Sequence, residues 1–191
     1  MILTPDGLRP VQALRPGDRV QTKDDGAQEI LWTGSRRMTG ARLHAMPHLR
    51  PIRLRSGAFG MGRPEGDLLV SPQHRMLLKG PEARLLFNAD EVLVAAEDLV
   101  DGRAVTVDRN LREVTYHHLL LERHQIVFAN GLATESFHPA AAGFDTLAPD
   151  DRERLAAFLP GVEDDPLAYG DFARRRLSGP EAAILRHGQA A

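Results

Sequence analysis

The sequence predicts a mainly β protein with a short helical appendage at its C-terminal end. Three observations carry this. Short runs rich in Val, Ile, Leu and Thr alternate with turn pairs over the first two-thirds of the chain. Amphipathic helices do not separate those runs, which argues against a βαβ arrangement. After Pro139 the pattern changes to helix-start signals.

Taken in order, the turn pairs are Asp6-Gly7, Pro16-Gly17, Asp25-Gly26, Asp101-Gly102 and Asn130-Gly131. The expected strands are 19–22, 29–33, 51–55, 67–71, 75–78, 91–95, 104–107, 114–121, 125–128 and 132–136. Residues 57–66 are rich in glycine and are expected to form a surface excursion within a sheet. Strand, Asn130-Gly131, strand is a hairpin signal, because Asn-Gly suits the left-handed positions of a two-residue turn. Leu14-x-x-Gly17-x-x-Val20 recurs as Leu99-x-x-Gly102-x-x-Val105, an echo that suggests two halves of a pseudo-symmetric β fold.

Asp150-x-x-Glu153 fits a capping box, followed by Leu155, Phe158 and Leu159 at helical spacing and stopped by Pro160-Gly161. Ser178-x-x-Glu181, with Pro180 in the first turn, opens a second helix through Leu185. The expected division is a β domain over 1–138 and a helical extension over 139–191. The extension is too small for a core of its own, so it is expected to pack on the β body.

Composition narrows the function. Lys and Arg number 24 against 26 Asp and Glu, a net charge of −2, which disfavours a nucleic-acid partner. Cysteine is absent, which excludes disulfides, thiolate metal sites and Cys nucleophiles within these residues. No apolar run approaches the roughly 20 residues of a membrane span, and the N-terminus has no basic stretch leading into an apolar core. Compartment and oligomeric state stay open.

Two segments could carry chemistry. In Val70-Ser71-Pro72-Gln73-His74 a hydroxyl stands three residues before a histidine at the end of an apolar strand. There an imidazole can donate a hydrogen bond to a peptide or take a proton. The alternative is a turn whose Ser and His satisfy local backbone groups. The second segment runs from Tyr116 to His138. Its histidines invite a zinc site in which His118, His124 and His138 converge with His74. Neither a His-Glu-x-x-His nor a compact ligand pair on a helix is present, so no metal and no cofactor is expected.

At these segments the chain resembles a bacterial Hint domain, the module shared by Hedgehog autoprocessing domains and inteins. Ile2-x-Thr4-Pro5-Asp6-Gly7, Val11 to Leu14, Pro16-Gly17-Asp18 and Val20 resemble the family's opening strands. Val70 to His74 is similar to its Thr-x-x-His block, with Ser71 in the Thr place, and Tyr116 to Ser136 is similar to its closing block. The acidic-to-helical tail, with Tyr169-Gly170 and Glu181 to Leu185, also looks like that of bacterial members. The resemblance implies a Hint-type, pseudo-two-fold β fold. It also implies an N-to-S acyl shift that releases an upstream polypeptide of the same precursor. In that chemistry a Cys attacks the preceding carbonyl and the block-two His protonates the departing amide nitrogen. Carried over, His74 is the acid and Ser71 its orienting hydroxyl. His124 takes the closing block's His place, and His118 replaces the carboxylate of many inteins.

The departures are equally informative. The family's opening Cys, with Gly-Thr-x-Ile a few residues on, is represented here only from its x, as Met1-Ile2. Either a short Cys-bearing segment precedes Met1 in the natural gene, or this copy is degenerate and inactive as it stands. The closing His-Asn of an intein is Glu135-Ser136 here, so cleavage without splicing is expected. The rival reading is a non-catalytic β scaffold or peptide-binding module of the same ancestry. His74 is expected close to the N-terminal strand, with Ser71 in the same pocket. His118 and His124 are expected on one strand face with Tyr116, at least one of them near His74.

Overall fold

The computed structural model describes residues 1–141 and 147–189. The chain opens with a hairpin, β1 (Ile2–Thr4) and β2 (Gly7–Arg9), turned at Asp6-Gly7. Next come β3 (Arg19–Gln21) and β4 (Ala27–Glu29), paired across Asp25-Gly26, and β5 (Trp32–Thr39). Helix α1 (Gly40–Ala45) follows, then β6 (Ile52–Leu54), β7 (Leu68–Val70), β8 (Arg75–Lys79), helix α2 (Pro81–Phe87) and β9 (Glu91–Ala95). After β10 (Val105–Val107) come β11 (Glu113–Leu120), β12 (Ile126–Ala129) and β13 (Leu132–Glu135). The tail holds α3 (Pro149–Phe158), β14 (Arg175–Arg176) and α4 (Gly179–Gln189). The fold is mainly β, as the turn spacing indicates.

The largest sheet runs β14-β9-β8-β13-β12-β1-β2. Smaller sheets are β10-β6-β7, β11-β5 and β3-β4. Sequence-distant strands therefore lie side by side: β13 pairs with β8 through Thr134 opposite Met76, and β1 meets β12 through Ile2 opposite Ala129. Between β12 and β13 the Asn130-Gly131 turn has both residues at positive φ, 48° and 72°, as a two-residue hairpin requires. The glycine-rich excursion folds back onto this tip, where the Glu65 amide donates to the Asn130 carbonyl.

Alternation along the strands fills two main cores. Ile52, Leu54, Met76, Val92, Val94 and Leu132 pack with Leu177, Ala182 and Leu185 of the tail. Ile2, Leu14, Val20, Ile30, Leu121 and Val127 form the other. The sequence echo has a conformational counterpart. Both copies begin with a 3-10 turn, Val11–Ala13 and Ala96–Leu99, and both place their glycine, Gly17 or Gly102, at positive φ. Both also bury the flanking Leu and Val.

The tail is woven into the β body. β14 adds a parallel strand to the edge of the large sheet, beside β9. Asp151 of α3 accepts the Ser35 amide of β5 at 2.6 Å, and Leu155 packs in a cluster with Trp32, Leu120 and Phe137.

Several expectations change. The run at 29–33 is two elements, β4 ending at Glu29 and β5 beginning at Trp32. The region before Pro139 holds helices α1 and α2. The Thr39 hydroxyl caps α1 by accepting the Arg42 amide, and α2 carries Pro at its first turn and Asn88 in the left-handed C-cap position. Asp150 is not an N-cap: α3 starts at Pro149 with no side-chain cap, because Pro supplies the preset φ of the first turn. At α4 the box forms, with Glu181 accepting from both the amide and the hydroxyl of Ser178 at 2.8 Å, and the helix continues past Leu185 to Gln189.

Candidate functional site

The site gathers at the seam between β8 and β13. The turn after β7 is closed by the His74 amide donating to the Ser71 carbonyl at 3.1 Å. The His74 ring reaches across to β13, where its Nε2 lies 2.5 Å from the Thr134 hydroxyl. That hydroxyl donates its own hydrogen to the Arg75 carbonyl at 2.9 Å. It can therefore only accept from the imidazole, which puts the Nε2 hydrogen on His74 and leaves Nδ1 as the nitrogen with a free lone pair. The neighbouring residue completes a clamp: Glu135 Oε1 accepts the Arg75 amide at 3.0 Å. Consecutive residues Thr134 and Glu135 thus grip consecutive residues His74 and Arg75.

Burial pushes the His74 imidazole toward its neutral form, the Glu135 carboxylate opposes this, and His124 reinforces it. Glu135 is 6% exposed, and its Oε2 lies 3.5 Å from His124 Nε2. The Ala173 amide donates to His124 Nδ1 at 3.0 Å, so in the neutral ring the hydrogen sits on Nε2, which is buried without a hydrogen-bond partner. The tail supplies that amide. It also supplies the Gly170 carbonyl, which accepts from His138 Nε2 at 2.9 Å, and Phe172, whose ring stacks on His138.

His118 belongs to the same electrostatic neighbourhood. Its ring packs edge-on against Phe137, its Nε2 is buried without a hydrogen-bond partner, and its pKa is lowered to about 4 by desolvation first and by His74 and His117 next. On β11, Tyr116, His118 and Leu120 share one face, but His124 does not extend that face. The strand ends at Leu120, and residues 121–125 turn the chain toward β12, which breaks the parity the sequence suggested.

His74, His118 and His124 are therefore drawn into one neighbourhood. Ser71 meets His74 through its backbone carbonyl, while the hydroxyl on the imidazole is that of Thr134. In the large sheet, β13 and β12 stand between the strand after His74 and β1. Met1 lies at the hairpin tip, its ammonium donating to Asn130 Oδ1 at 2.7 Å. Thr134 escaped the sequence reading, and Glu135 entered it only as the residue in the place of an intein's closing His, with no role at His74. Among the described residues, no three His, Asp or Glu side chains are placed to share a metal ion. Among them too, no helix is long and apolar enough to cross a membrane.

Chemically, a desolvated imidazole held at Nε2 and free at Nδ1 is a proton donor or acceptor with one defined working atom. A family model described as a Hint domain matches residues 1–141. A bacterial intein-like domain from Clostridium thermocellum is similar in structure at 15% identity and a TM-score of 0.42, covering 71% of this chain and 94% of its own. The Msm DnaB1 intein splicing domain bound with zinc gives 15% identity and a TM-score of 0.36, covering 70% and 93%. No curated protein matches the chain.

Proposed function

From the premise that this chain belongs to the Hint domain family, we propose that it is an autoprocessing module that releases an upstream polypeptide through an N-to-S acyl shift. The 191 residues contain no cysteine, so on this reading the attacking thiol is not one of them. In the shift, the sulfur attacks the carbonyl of the preceding residue and the C–N bond of that amide breaks. The departing nitrogen takes a proton, and a thioester remains. Water or another nucleophile then attacks the thioester carbonyl, which frees the upstream polypeptide and returns the thiol.

His74 is the group we assign to the nitrogen. The observation that carries this is the bond between His74 Nε2 and Thr134, which leaves Nδ1 as the atom able to deliver a proton. Burial favours this role, since an imidazolium held in a desolvated place gives up its proton more readily. His124 acts on His74 through its charge, His118 stands in the same electrostatic neighbourhood, and Ser71 shapes the turn. The residue standing where an intein carries its closing Asn is Ser136, which cannot cyclise as Asn does, so cleavage is not followed by splicing.

The test is to extend the chain ahead of Met1 with Cys-x-x-x-Gly-Thr and fuse a reporter protein before the cysteine. Dithiothreitol should release the reporter, and loss of the cysteine should prevent it. A fusion that stays intact, with the fold verified by circular dichroism, would favour the non-catalytic scaffold instead.

A further inference from the structure

Glu135 is a buried carboxylate with a neighbour on every side. On β8 the Arg75 amide donates to its Oε1, while the Arg75 guanidinium is turned away to the carbonyls of Leu177 and Leu93. From the β11–β12 loop, His124 Nε2 lies 3.5 Å from Oε2, with no hydrogen bond between them. From the turn before β8, His74 interacts with its charge; so do His138, beyond β13, and Arg176 of β14. A buried carboxylate stays ionised only where hydrogen-bond donors and positive charge compensate its lost hydration. Here the donor is the Arg75 amide, and the positive charge is that of Arg176 and of His74 when it is protonated.

We propose that Glu135 is the positioning residue for His74: one oxygen anchors the peptide that follows the imidazole, and its negative charge stabilises the imidazolium that must form there. The role rests on the reading of His74 as the proton donor. Two features connect the carboxylate to His74 in particular. Thr134 and Glu135 are adjacent on β13 and hold the ring and the next amide together, so the orientation of Nδ1 and the location of the charge come from one short stretch of strand. Ala173, from the tail, donates to His124 Nδ1, which leaves His124 Nε2 as the nitrogen on the Glu135 side, 3.5 Å from Oε2. The C-terminal extension thereby takes part in the same arrangement, although the family match ends at Ala141.

The experiment is a pH titration of the isotope-labelled full chain, following imidazole nitrogen shifts in the wild type and in Glu135→Gln. Glutamine keeps a carbonyl that can accept the Arg75 amide but carries no charge. The His74 midpoint should fall by about one pH unit or more, the usual effect of removing a nearby opposite charge, while protection of the Arg75 amide from exchange is retained. Should Glu135→Gln fail to fold, the wild type decides alone: the side-chain carboxyl carbon of Glu135 should show a step at the His74 midpoint. An unchanged His74 midpoint in a folded variant overturns the proposal, as does a Glu135 carbon blind to His74. A His74 ring that stays neutral down to acid unfolding overturns it too. None of these readouts uses thiol cleavage, so a cysteine-extended fusion that fails to cleave refutes the autoprocessing reading separately.

Discussion

Thr134 and His74, sixty positions apart in the chain, share a hydrogen bond of 2.5 Å, and the same hydroxyl passes its own hydrogen to the Arg75 carbonyl. The hydroxyl is therefore a bridge between a side chain and the backbone that carries it. Thr134→Val keeps the shape and removes both bonds, leaving a buried carbonyl and an imidazole N–H without partners. It should cost about 2–3 kcal/mol in urea unfolding, the usual range for stranded buried polar groups. Thr134→Ser should recover most of the loss. An unchanged unfolding midpoint for the valine variant would show that the bridge contributes nothing.

His118 makes acid stability testable with a definite sign. Its folded pKa is about 4 against 6.5 for the free side chain. The unfolded chain thus takes up a proton below 6.5 that the folded chain refuses until about 4. The stability conferred by the neutral ring is complete above 6.5 and declines as pH falls, by about 3 kcal/mol at 1.36 kcal/mol per unit. His74 and His138, also lowered by burial, act in the same direction. His118→Leu removes a buried nitrogen without a partner and should flatten the pH 6.5-to-4 decline by about that amount. Equal slopes for the two proteins in chemical denaturation would contradict the burial of a neutral ring.

Gly34 lies opposite His118 in the β5–β11 ladder, and a methyl group there would fall 2.1 Å from the Trp32 ring. That ring is 4% exposed and packs on Phe137, so it has nowhere to retreat without opening its cluster. Gly34→Ala should cost about 2 kcal/mol, as over-packing of a filled core does. Trp32 is the only tryptophan, so its emission reports directly. A red shift is expected, and an emission spectrum identical to wild type would mean the ring is less confined than its contacts indicate.

These effects also indicate what the sequence can and cannot disclose. Turn dipeptides and alternation are local, so the hairpin at Asn130-Gly131 and most strand positions are legible within a residue or two. Helices α1 and α2 were hidden because each is shorter than two full turns, too brief for a 3.6-residue period to emerge from its surroundings. The histidines were visible as chemistry-bearing residues, but their partners were not. Thr134 becomes the partner of His74 only because β13 lies beside β8, a pairing between segments joined by no short turn. Ser71, three residues from His74, looked like the natural hydroxyl, yet the turn uses its carbonyl. The tail was legible as helices, but Ala173 reaches His124 through a backbone amide, which no side-chain pattern could advertise.

The order of effects on thiol-dependent release separates these roles most sharply. In the cysteine-extended fusion, His74→Ala removes the proton donor and should slow release by about 10²-fold or more, the usual contribution of a positioned acid. Thr134→Val leaves the imidazole in place but frees its Nε2, so Nδ1 is no longer aimed. Its loss should fall between those of His74→Ala and Ser71→Ala. Ser71→Ala keeps the backbone carbonyl that closes the turn and should be the mildest of the three. Single-turnover release measured at saturating thiol, on variants shown to be folded, would rank them. If Ser71→Ala proved as damaging as His74→Ala while Thr134→Val was silent, the orienting hydroxyl would be that of Ser71, and the bridge from Thr134 would be structural alone.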